Sequence, residues 1–325
     1  MRLLVASKID GHALAQLEHA HDAVVSVSPP PDVLRELIVD REVVIFRSGV
    51  ELPREILDLA PDLKLLVRAG SGLDNIDPTY LASRGIDVVR IPGPGAQSVA
   101  ELSFTFMLAL ARRIFEADAS MREGRWLKSQ LEGRTLSGKV LGVVGLGNIG
   151  TRVARMGTAW GMAVIGCVER PSPQRREEFA SQSIELTSLD DVLERADFVS
   201  IHVPRNTMTI GLIGADELRR MRPGAFLVNV ARGGVVVEAA LLEALRDGRL
   251  AGAGVDVHVQ EGDGARSPLA DLPNVVLTPH IGATTTDAQA AIGREIVEII
   301  ARTPVDQAPL PAPVTSPIGA PVVQR

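Results

Sequence analysis

The stretch that most constrains this chain runs from Lys139 to Arg170. An apolar run, Val140–Val144, leads straight into Gly145-Leu146-Gly147-Asn148-Ile149-Gly150. A helical pattern follows, with Ile149, Val153, Met156 and Trp160 as its expected apolar face, and Gly161 closes it. A second apolar run, Ala163–Val168, ends at Glu169. Strand, glycine turn, helix, strand and acid in that order make a βαβ unit suited to a dinucleotide. Gly145 permits the tight turn, Gly147 lets backbone approach a pyrophosphate, and Gly150 lets helix and strand pack closely. The helix N-terminus turns N–H groups and the positive end of its dipole toward phosphate. Glu169 is placed to accept from ribose hydroxyls, which favours NAD over NADP, with Arg170 beside it as the opposing charge.

The remaining composition fits that reading. With 325 residues the chain is long enough for two domains. Aromatics are only 3%, so Val, Leu, Ile and Ala must fill the core. A net charge of −6 argues against nucleic acid or an anionic membrane as the main partner. The single cysteine, Cys167, sits in an apolar run and reads as a small core residue. His12, His19 and His21 have no grouping that points to a metal site, and no metal is expected. No run reaches membrane-spanning length, the N-terminus reads as a first strand, and the expected compartment is the cytoplasm.

Residues 1–97 alternate strand and helix patterns, with strands expected at Leu3–Ala6, Val24–Val27, Val43–Phe46, Leu63–Val67 and Val88–Ile91. From Ser98 to about Met121 the spacing predicts one long apolar helix, with more apolar surface than a domain boundary needs. An irregular arm follows to Ser137. Beyond Glu169, Pro171–Gln182 reads as a surface turn. Strands are expected at Phe198–Val203, Ala225–Val230, Gly254–Val259 and Val275–Leu277, and helices at Leu189–Arg195, Ala215–Met221, Glu238–Arg246 and Thr286–Arg302. The proline-rich 303–325 reads as an extended tail. Two α/β domains with doubly wound parallel sheets are therefore expected.

Three polar residues follow expected strands, where open α/β sheets bind ligands: Arg232, Glu261 and His280. Each alone has a bland reading, as a solvated arginine, a surface charge beside Asp263, or a structural histidine. Together they suit hydride transfer at a hydroxyl or carbonyl carbon. Histidine moves the proton, a carboxylate favours its charged form, and arginine holds a carboxylate and polarises the carbonyl beside it.

At these residues the chain resembles the D-isomer-specific 2-hydroxyacid dehydrogenases. The stretches that carry the resemblance include LLVRAGSGLDNID (65–77), SVAELSFTFMLALAR (98–112), LSGKVLGVVGLGNIG (136–150), GAFLVNVARGGVV (224–236) and NVVLTPHIGATT (274–285). The resemblance implies a flavodoxin-like substrate domain, 1–97 with 286–325, and a Rossmann cofactor domain, 98–285, inserted in it. It implies Arg232, Glu261 and His280 as the catalytic trio, and NAD contacts at Ser71, Gly145, Gly147, Asn148, Ile149, Gly150, Glu169, Val203, Val230, Ala231, Asp256 and Gly282. It carries substrate contacts onto Arg47, the backbone N–H groups of Ala69, Gly70, Ser71 and Gly72, and Arg232 and His280. The implied reaction is oxidation of a small anionic D-2-hydroxy acid or reduction of its 2-keto acid, with 3-phosphoglycerate one candidate, in a homodimer built through the 98–121 region. Two other readings stay open: an NAD-sensing corepressor-like scaffold, and a phosphonate or phosphite oxidoreductase. The sequence departs from the family around Glu261, where His258 and Gly262 replace the usual aromatic residue and proline. It departs again after Arg47-Ser48, where many members have a threonine.

Overall fold

The computed structural model describes residues 1–303; the expected tail lies outside them apart from Thr303. The chain divides into two compact units, one formed by 1–95 and the segment from Ala283 on, the other by 96–282.

The first unit is a five-stranded parallel sheet: β1 (Arg2–Val5), β2 (Asp22–Val25), β3 (Val43–Phe46), β4 (Leu65–Arg68) and β5 (Asp87–Arg90), in the order β2-β1-β3-β4-β5. Its central strands are buried on both faces, which is why they read as continuous apolar runs. Alternate residues feed two cores. Leu4, Val44 and Leu66 face one; Leu3, Val5, Val43, Ile45 and Val67 face the other. The helix Thr286–Arg302 returns the chain to this second core with Ile292, Ile296 and Ile300. Gly293 lets it approach the helix Gly11–Ala20 so closely that an added Cβ would lie 2.9 Å from the Ala13 Cβ.

The second unit holds seven parallel strands: β6 (Val140–Val144), β7 (Ala163–Cys167), β8 (Ile184–Leu186), β9 (Phe198–Ile201), β10 (Ala225–Asn229), β11 (Leu250–Val255) and β12 (Val275–Leu277). Their order is β12-β11-β10-β9-β6-β7-β8. From β6 the chain winds outward first through β7 and β8, then through β9 to β12, so the order reverses at β6. That switch point is where such sheets bind ligands, beyond the strands' C-terminal ends.

The structure corrects four expectations. The long helix is two, Gly95–Ala111 and Ile114–Arg122, broken at Arg113 with φ +50°. The returning arm causes the break: Arg134 donates its N–H to the Ala111 carbonyl, and Gly133 sits where a Cβ would be 2.6 Å from that oxygen. Pro173–Ala180, within the expected surface turn, is a helix, capped by the Ser172 hydroxyl and opened by Pro173. The strand expected at Gly254–Val259 is β11, which starts at Leu250 and stops at Val255. The helix Asn148–Ala159 buries Gly150, Val153, Ala154 and Gly157, while Trp160 is exposed. Small residues face the sheet because an added Cβ on Gly157 would lie 2.5 Å from Leu141.

Candidate active site

The glycine turn follows β6, and its three glycines differ in what surrounds them. Gly145 has φ +94°, and a Cβ there would lie 2.7 Å from the His202 carbonyl oxygen. A Cβ on Gly150 would lie 1.9 Å from the Gly145 oxygen, so no larger residue fits under the turn. Gly147 has nothing within 4 Å of its would-be Cβ, which leaves the outer side of the turn clear. A backbone cradle with an open outer side and the N-terminus of a 12-residue helix fits a pyrophosphate. Asn148 and Ile149 lie in the first turn of that helix. Glu169, two residues past β7, has an exposed side chain with the Arg170 Nε at 3.4 Å. Val203 lies two residues past β9, and Val230 and Ala231 follow β10.

The loops after β10, β11 and β12 carry the three polar residues on the sheet edge that also carries the glycine turn, since all seven strands are parallel. His280 Nδ1 and Glu261 Oε2 are 2.9 Å apart, with side chains 27% and 39% exposed. Burial opposes the charge on Glu261. Hydrogen bonds from His280 and from the His258 N–H outweigh it, and the carboxyl titrates below its usual range. Arg232 is placed by its own strand end: Nη1 donates to the Ala231 carbonyl at 2.7 Å, and Asn229 Nδ2 donates to the Arg232 carbonyl at 3.3 Å. Its neighbour Gly233 brings this segment against the Glu261 loop, where a Cβ would lie 1.9 Å from the His258 carbonyl oxygen.

His280 has φ +53°, a conformation a non-glycine residue holds only where its surroundings impose it. The surroundings are Asp256, 1% exposed. Its carbonyl accepts the His280 N–H at 2.8 Å. Its carboxylate accepts from Thr278 Oγ1 at 2.6 Å and the N–H groups of Ile281 and Gly282 at 2.8 and 2.9 Å. Asp256 and Gly282, carried over from the resemblance as cofactor contacts, thus bind one another, and their first visible work is to shape the histidine loop.

In the first unit Arg47 is half-buried, and burial pushes its guanidinium below its ordinary value while Nη1 donates to Gln289 Oε1 at 2.8 Å. Of the four turn N–H groups, Ala69 donates to Phe46 and Gly70 to Arg68. The donors with no partner among the described residues are therefore those of Ser71 and Gly72.

The sequence profile described as "D-isomer specific 2-hydroxyacid dehydrogenase, NAD binding domain" matches residues 104–282. The chain belongs to this family. Residues 104–282 are accordingly its NAD-binding domain. The chain is 40% identical over 298 residues to D-3-phosphoglycerate dehydrogenase of Mycobacterium tuberculosis, covering 92% of this chain and 56% of that one. It therefore spans about half the length of that relative. With hydroxypyruvate reductase of Thermotoga maritima it shares 39% identity over 302 residues, covering 92% of this chain and 97% of that one. The structure of Aquifex aeolicus D-lactate dehydrogenase complexed with NAD and lactic acid superposes with a TM-score of 0.80 at 29% identity, over 92% and 94% of the two chains.

Two residues beside the glycine turn were not singled out by the sequence. His202 hydrogen-bonds Ser200 Oγ through Nε2 at 2.8 Å. The residue as a whole is partly exposed, but its Nδ1 is sealed and has no partner among the described residues, and burial pushes the imidazole down to about 3. Strand alternation places it on the Ser200 face, which was the available signal. Arg175 donates to the Leu146 carbonyl of the glycine turn at 2.9 Å from 29 residues away, and no local pattern announces that contact.

Proposed function

We propose that the chain is an NAD-linked oxidoreductase that interconverts a small anionic D-2-hydroxy acid and its 2-keto acid, with Arg232, Glu261 and His280 as its catalytic residues. The observation that carries this reading is the 2.9 Å contact between His280 Nδ1 and Glu261. An ionised carboxylate only accepts, so Nδ1 bears a hydrogen and Nε2 is the nitrogen that exchanges a proton with substrate. When bound, the nicotinamide supplies or accepts the hydride. In reduction, protonated His280 donates to the substrate carbonyl oxygen while Arg232 holds the carboxylate through its fork and draws charge onto that oxygen. In oxidation, neutral His280 takes the hydroxyl proton. Glu261 stays ionised in both directions and offsets the charge that the ring gains.

Arg47 and the N–H groups of Ser71 and Gly72 are assigned to the anionic ends of the substrate. The mycobacterial relative is named for 3-phosphoglycerate and the Thermotoga relative for hydroxypyruvate. The substrates so named include acids with and without a phosphate, and a cation such as Arg47 suits a second anionic group. The test is NADH oxidation with glyoxylate, pyruvate, hydroxypyruvate and 3-phosphohydroxypyruvate. At least one acid should be reduced, and Arg47→Ala should raise KM most for the phosphorylated one. No reduction of any acid would overturn the assignment in favour of a cofactor-sensing binding protein.

A further inference from the structure

We propose that His258 is a positioning residue that locks the Glu261–His280 pair in register, an inference that rests on the catalytic assignment above. The loop that carries Glu261 has little stiffness of its own: Gly262 and Gly264 follow with φ of +120° and +82°. His258 supplies what that loop lacks by touching both halves of the pair's scaffold. Its backbone N–H donates to Glu261 Oε1 at 3.1 Å. Its ring Nε2 lies 3.0 Å from the carbonyl oxygen of Thr278, two residues before His280. A carbonyl only accepts, so Nε2 carries the hydrogen, and Nδ1 is buried with no partner among the described residues.

These contacts close a circuit. It runs from the His258 backbone to Glu261, from Glu261 to His280, back along the chain to Thr278, and through the imidazole to His258. The remaining ties either anchor the Glu261 side to other elements or join the two loops at Asp256, before His258. Val259 donates its N–H to Glu238 Oε1 at 2.9 Å, and Gly233 packs on the His258 carbonyl, both on the Glu261 side. Asp256, the first residue after β11, holds the loop 278–282 to the start of the Glu261 loop. Besides the Asp256 clamp, the imidazole N–H is thus a side-chain bond from the Glu261 loop to the histidine loop that does not pass through the catalytic pair itself, and it starts three residues from Glu261 where Asp256 starts five away.

The test is steady-state reduction of the best keto acid of the panel by NADH, using four proteins besides wild type: His258→Phe, His258→Gln, Glu261→Gln and the double variant His258→Phe/Glu261→Gln. Phenylalanine keeps the ring and loses the N–H; glutamine keeps an N–H near the Nε2 position and loses the ring. His258→Phe should lower kcat about tenfold with the KM for NADH unchanged, and His258→Gln should stay within about threefold of wild type. In the Glu261→Gln background His258→Phe should change kcat less than about twofold, because the pair it aligns is already broken. Wild-type kcat in His258→Phe, equal losses in the Phe and Gln variants, or independent multiplication of the two effects would each overturn the proposal while leaving the trio in place. A Glu261→Gln enzyme as fast as wild type would overturn the catalytic assignment, and this proposal with it.

Discussion

Glu169 and His202 show how one side chain each sets a different property of the cofactor domain. The Glu169 carboxylate, exposed two residues past β7, is placed to accept hydrogen bonds from a free ribose diol and to repel a 2′-phosphate. The enzyme should therefore use NADH more efficiently than NADPH, and Glu169→Ala should narrow the ratio; equal kcat/KM for both cofactors in the wild type contradicts this. His202 acts on stability. Above about pH 6.5 its ring is neutral in both folded and unfolded chains, and the stabilisation is complete. As pH falls, the unfolded chain takes up a proton near that ordinary value, whereas the folded ring waits until about 3. Stability is lost across that window. In urea unfolding, the loss between pH 7 and pH 5 should shrink by about 1–2 kcal/mol in His202→Gln. An unchanged loss would show that the ring is not sealed. The placement of Arg232, Glu261 and His280 at one end of the sheet was legible in the sequence because each follows an apolar run that holds a strand. The Asp256 clamp was not, since its donors come from 22 to 26 residues away.

Elements with their own boundary chemistry were readable, and those bounded by distant contacts were not. Leu189–Arg195, Glu238–Arg246 and Thr286–Arg302 match their expected limits. Ser188 and Thr285 cap two of these helices, and Gly248 follows the third. The break at Arg113 depends on Gly133 and Arg134, which no helical period in 98–121 encodes. The expected face of the dinucleotide helix failed for a related reason. Periodicity rewards large apolar residues, whereas this helix approaches its sheet through Gly150 and Gly157. The C-terminal helix is the opposite case, with Ile292, Ile296 and Ile300 as its buried stripe. Ile296 is fully buried, so Ile296→Ala should destabilise the protein by about 2–5 kcal/mol in denaturant titration. A loss below about 1 kcal/mol would mean that the helix contributes little to the core of its unit.

At the scale of the whole molecule, the parallel α/β architecture was legible because alternating apolar runs and amphipathic segments leave few other ways to bury both. Assembly is less directly written. The helix Ile114–Arg122 and the arm after it expose Ile114, Phe115, Met121 and Trp126, with Phe115 60% and Trp126 75% exposed. Large apolar side chains concentrated on one segment mark an interaction surface. We expect a homodimer through this region, with light scattering at micromolar concentration giving twice the 34.6 kDa chain mass. Phe115→Asp with Trp126→Asp should shift it to monomer. A wild-type monomer under those conditions contradicts the assignment of this surface.

The role proposed for Glu261 is to hold the charge on the histidine that moves the proton. It is tested most directly by the pH dependence of Glu261→Gln in both directions, with deuterated NADH used to confirm that hydride transfer limits the rate. Without the carboxylate, the protonated ring loses its partner. The alkaline fall-off of keto-acid reduction and the acid limb of hydroxy-acid oxidation should both move to lower pH than in the wild type, with kcat reduced. If both profiles keep their wild-type positions while the isotope effect shows that chemistry is limiting, Glu261 is not the group that tunes His280.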